Sequence, residues 1–143
     1  MLKIKKETFV QIENYFQRED TEQGALLGSR QNLEQIDVCC QLPVKQSSKY
    51  FIVPDAEQAD RLIKDWAAKN ICFCGMVHSH VCPKEGLSEA DTLFAEQLYR
   101  QYQIPVLWFG IGIVKKSGIK FRFYRVERKN HRILIKLENY VID

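Results

Sequence analysis

Residues 71–80 read ICFCGMVHSH, an almost unbroken apolar run that holds one glycine and ends on two histidines. A run of that length and make-up suits a strand at the centre of a sheet, so the chain needs helices to cover such a sheet and further strands to flank it. Both can be read on either side. Upstream, Phe9, Ile12 and Phe16 recur at helical spacing within 6–18 after a short strand at 2–5, and 24–28 (GALLG) reads as a buried strand. Residues 33–42 form a further strand candidate, 43–49 a loop and 50–53 another strand. Asp55 with Gln58 three positions on resembles a capping box, and Ala59, Leu62, Ile63 and Trp66 stripe the helix it would open over 55–69.

Downstream, Ser88 opens a third helix with Ala90, Leu93, Phe94, Leu98 and Tyr102 at three- and four-residue spacing, ended by Pro105. Strands are expected at 106–114 and 119–126 around a turn at 115–118, and again at 133–140. The expected class is α/β: one domain over 1–143, a three-layer sandwich with a mixed sheet and helices on its faces.

At 143 residues the chain can bury about two thirds of its unfolded surface in one core. Its 45% apolar and 27% charged residues are those of a globular protein. The N-terminal MLKIKKETF lacks the apolar stretch of a signal peptide, and the longest apolar run, 106–114, is short of the roughly 20 residues a membrane span needs. A cytoplasmic protein without a membrane partner is expected. Five cysteines, an odd count, read as reduced thiols, and a net charge of +3 is too small to imply nucleic acid.

The chemistry concentrates in 77–91, VHSHVCPKEGLSEAD. Alternate residues of a strand share a face, so His78 and His80 can offer imidazole nitrogens to one ion while Ser79 points away. Asp91, in the first turn of the following helix, stands where a third ligand would leave one position open for water. The same Ser88-Glu89-Ala90-Asp91 is also an ordinary helix N-terminus, with a serine cap and first-turn acids. Chance would produce the whole conjunction in roughly one chain in several thousand.

His78-x-His80-x7-Ser88-x2-Asp91 resembles the metal-binding signature of the JAMM (JAB/MPN+) zinc metalloproteases, matching all four of its positions. That family carries a glutamate upstream, where the first helix hands over to the second strand. One register puts Thr21 there; the register Glu22-Gln-Gly-Ala-Leu-Leu-Gly28-Ser29 puts Glu22 there, with Glu19 and Asp20 as neighbouring acids. A solvated acidic turn is the plainer reading of the same residues. The resemblance implies a cytidine-deaminase-like fold and Zn2+ held by His78, His80 and Asp91. It further implies that Glu22 is the general base and that Ser88 donates a hydrogen bond to the oxyanion. The implied substrates are ubiquitin-like proteins or their conjugates, cleaved after the C-terminal tail, with activating- or conjugating-enzyme-like proteins of the same pathway as further partners. Val81 and Cys82 separate His80 from Pro83, where the family usually has proline directly. Two alternatives are a non-hydrolytic MPN-type scaffold and a RadC-like, DNA-repair-associated protein.

Cys72 and Cys74 alternate on the histidines' strand and so share one of its faces, where core packing is their expected role. Cys82 lies beside the candidate ligands, whereas Cys39 and Cys40 lack metal-site spacing. Between Lys115 and Lys136 stand nine Lys or Arg and one acid, Glu127, read as a solvated strand face, with His131 on the surface.

Overall fold

A computed structural model of the chain describes residues 1–17, 20–81 and 86–143. The apolar run becomes strand β7 (Cys72–His80), buried along all but its first residue. It lies inside a six-stranded sheet with β2 (Gly24–Ser29) antiparallel on one side and β8 (Val106–Lys115) parallel on the other. Helix α3 (Glu89–Tyr102) makes the crossover that a parallel neighbour requires. The sheet continues through β9 (Gly118–Lys129) to β10 (Arg132–Glu138) at one edge and ends at β4 (Val38–Gln41) at the other.

Two apolar clusters lie against the sheet. One joins Ile12 of helix α1 (Lys6–Tyr15) and Phe16, its C-cap, to Ala25, Leu27, Val77, Trp108, Phe121 and Phe123. It also takes in Leu2 and Ile4 of β1 (Leu2–Ile4) and Ile36 of β3 (Gln35–Ile36), which form a small parallel sheet with β11 (Tyr140–Ile142). The other packs Ala59 and Trp66 of helix α2 (Ala56–Ala68), with Ala95 and Tyr99 of α3, on Leu26, Met76, Leu107 and Phe109. The chain is thus a mixed α/β protein with a sheet core and, among the described residues, three helices. No helix among those residues is long and apolar enough to cross a membrane.

Several sequence expectations change in detail. The expected loop at 43–49 contains strand β5 (Val44–Ser47), which forms a hairpin with β6 (Ile52–Pro54). Its first three residues are exposed, so no apolar alternation marks them. The single strand expected at 33–42 is split into β3 and β4, which join different sheets, and 133–140 divides between β10 and β11. Leu93 is 56% exposed and Ala90 is exposed, whereas Phe94, Leu98 and Tyr102 of the expected stripe pack half-buried beside the buried Asp91, Ala95 and Tyr99.

Cys72 and Cys74 do not share a face with the histidines in the way strict alternation requires. The register of β2 on β7 steps between Leu27, opposite Gly75, and Gly28, opposite Phe73, leaving Cys74 as the extra residue of a bulge. Cys74 turns into the α1-side cluster while Phe73 and Met76 face the other, and Cys72 is exposed. Gly75, beside this step, has its backbone against β8: a Cβ there would sit 2.0 Å from the Trp108 carbonyl oxygen. The basic stretch is not uniformly solvated either. Arg125 lies over the Trp108 ring at 4.8 Å and pairs with Glu34, Glu127 and Glu138, while His131 is exposed.

Candidate metal centre

β7 delivers its two histidines to the α2/α3 side of the sheet, both buried, with their rings edge to face at 4.8 Å. His78 also meets the Phe109 ring edge-on at 5.7 Å, so its orientation is fixed by packing. The N-terminus of α3 comes up to them. Ser88 is its cap: the Asp91 amide donates to Ser88 Oγ (3.1 Å) and the Ser88 amide donates to Asp91 Oδ2 (3.0 Å), a complete capping box. The same Asp91 carboxylate reaches both imidazoles, with Oδ1 2.9 Å from His78 Nε2 and Oδ2 3.2 Å from His80 Nε2. Asp91 is therefore both the cap's acid and the bridge between the histidines.

Glu22 approaches from the opposite side. It lies two residues before Gly24, which pairs with His78, and its Oε1 is 3.5 Å from His78 Nδ1. It is buried, at 7% exposure, whereas Asp20 is exposed and Thr21 turns its hydroxyl to Ser47 Oγ at 2.8 Å. All five side chains singled out from the sequence, Glu22, His78, His80, Ser88 and Asp91, line one cleft of about 540 Å3. Cys82 and Glu19 lie outside the described residues. Sequence reading did not identify the cleft's apolar wall, formed by Tyr50, Phe51 and Ile52 from the β5–β6 hairpin and by Phe94 from α3. The adjacent apolar pair Leu93-Phe94, wider than one stripe can bury, was the available signal.

The cluster's electrostatics follow from this packing. Burial opposes a charge on His78, but the hydrogen bond with Asp91 and the nearby Glu22 carboxylate outweigh it and raise the imidazole to about 9. Burial likewise pushes the Asp91 carboxyl up, and hydrogen bonds with His78 and His80 overcome it and hold that group well below the usual carboxylate range. Two imidazoles and two carboxylates thus share one buried pocket. A divalent cation could be held among them: the ligand atoms of His78, His80 and Asp91 lie within 4.8 Å of one another. His78 Nδ1 is one of two buried side-chain polar atoms, among the described residues, without a hydrogen-bond partner. With Nε2 turned to Asp91, it faces Glu22, the arrangement in which a carboxylate fixes a ligating histidine's tautomer.

No family model matches the chain, and no curated protein matches it. Among solved structures the chain is similar to protein DSY2949 from Desulfitobacterium hafniense, known from a solution structure. The two are 16% identical over all of this chain and 93% of that one, with a TM-score of 0.72. At that identity the likeness shows the fold alone.

Proposed function

We propose that the chain is a zinc-dependent peptidase or isopeptidase of the JAMM type, with a cytidine-deaminase-like JAB/MPN fold, acting on the C-terminal tail of a ubiquitin-like protein in the cytoplasm. The observation that carries the reading is the convergence of His78, His80, Asp91, Ser88 and Glu22, from three separate segments, on one cleft. A helix cap alone requires neither two buried histidines opposite it nor a second buried carboxylate behind them.

Three protein ligands of N and O type suit zinc, which when bound supplies a Lewis acid and lowers the pKa of water in its open position. Glu22, buried beside His78, is placed to accept the proton of an attacking water and to hand it to the departing amine. The Ser88 hydroxyl accepts from the Asp91 amide, which leaves its own proton free to donate to the oxyanion of a tetrahedral intermediate. Tyr50, Phe51, Ile52 and Phe94 give the cleft an apolar wall against which an extended tail would lie.

The test combines metal analysis with turnover. Purified protein is expected to hold about one zinc per chain. It should cleave a ubiquitin-like fusion, lose that activity to a chelator and recover it with added zinc. Two histidines and a carboxylate are also the donor set of non-haem iron sites, so the same assay measures iron(II) loading. Protein that folds but stays metal-free in excess zinc would instead be a binding module.

A further inference from the structure

Ser79 stands between the two histidines and alternation turns it away from the cleft, yet it is fully buried and holds the residue next to Glu22 on both sides. Its amide donates to the Gln23 carbonyl (2.8 Å), and its Oγ accepts from the Gln23 amide (2.8 Å). The main-chain pairing of β2 with β7 reaches Gly24 opposite His78, and the serine hydroxyl adds a side-chain rung beyond it. On the other flank, the Glu22 amide donates to the Ser48 carbonyl (2.7 Å) in the β5–β6 hairpin. Both peptide groups flanking the Glu22 Cα are therefore anchored, one by Ser79 and one by Ser48. A carboxylate on a short segment outside any strand gains a fixed direction from two such anchors.

From this arrangement we infer that Ser79 is a positioning residue: its hydroxyl fixes the peptide after Glu22 and so aims the Glu22 carboxylate at His78 and the ligand cluster. The role rests on the metallopeptidase reading, in which the Glu22 carboxylate would take a proton from water at the ligand cluster. Alanine at this position would leave the Gln23 amide without its acceptor and the intervening peptide free to turn.

The test compares Ser79→Ala, Ser79→Thr and Glu22→Gln, with Ser79→Cys as the gentler substitute if alanine prevents folding. In hydrogen exchange on the metal-free protein, Ser79→Ala should speed exchange of the Gln23 amide at least about tenfold while Val77 is unchanged, and Ser79→Thr should restore protection. With cobalt(II) alone as the probe, Ser79→Ala should bind one ion per chain as wild type does, but reproduce the change in the visible band caused by Glu22→Gln. The double variant should add nothing further. On a ubiquitin-like fusion, kcat should fall about ten- to a hundredfold with KM nearly unchanged. Unchanged Gln23 exchange, or an unchanged cobalt band in Ser79→Ala, overturns the role. Wild type that takes up no cobalt overturns the metal reading and the aiming role with it, and the exchange arm still decides whether the anchor exists.

Discussion

Among the described residues, two of the three helices begin with a side-chain cap on the third amide and end in different chemistry. At α2, Asp55 caps by accepting from the Gln58 amide (3.1 Å) and pairs with the Gln58 side chain (3.0 Å), all in solvent. At α3, Ser88 caps in the same way and Asp91 closes a full box by accepting from the Ser88 amide, but Asp91 is 8% exposed and its carboxylate also spans two histidines. The Asp55 amide donates to the Pro43 carbonyl (2.8 Å), so α2 has the cap without the reciprocal bond; the larger difference is what the tertiary fold puts opposite. α2 starts over water, and α3 starts over the end of the central strand. A capping acid becomes a candidate ligand when it is buried against nitrogen donors.

The sharpest way to break this contrast is to neutralise each acid in turn. Asp91→Asn keeps an oxygen for the cap but removes the charge, and metal affinity should fall by more than about a hundredfold, measured by competition with a chromophoric chelator. If Asp91→Asn binds metal like wild type, α3 is merely another capped helix.

A smaller effect separates the two helix starts by pH in metal-free protein. His78 has its folded value raised from 6.5 to about 9, so its contribution to stability is complete below 6.5 and is lost as pH rises through about 9. Asp91 has its value lowered from 3.8, so its contribution is present above 3.8 and is lost as pH falls below it. Thermal unfolding with chelator present should therefore fall by on the order of 5 °C between pH 6.5 and 9, and Asp91→Asn should flatten that slope.

The smallest effect belongs to the solvated cap. Asp55→Ala should cost about 1 kcal/mol, or about 3 °C in Tm, with metal content and cleavage unchanged. A loss of metal in this variant would mean that the two ends of the fold are coupled.

The β7–α3–β8 unit was legible because its elements announce themselves: two long apolar runs and one helical stripe between them. The hairpin that walls the cleft was not, since β5 reads VKQS with its first three residues exposed and shows no apolar period. Within the site, the histidines and Ser88 were legible from spacing. Glu22 was one of several acids in a turn until the fold buried it, turned Thr21 toward Ser47 and left Asp20 exposed. The bulge at Cys74 was invisible, because nothing in a strand's own sequence says which of its residues the neighbouring strand will leave unpaired.

The sequence by itself determined that two imidazoles leave one strand on one face and that an acid opens the next helix, since both follow from backbone periodicity. Only the tertiary structure decided that these groups meet, that Glu22 closes the cluster and that Ser79 and Ser48 hold it there. Those relations join segments up to 56 positions apart, and proximity over such separations is set by sheet order and packing, which no local pattern encodes.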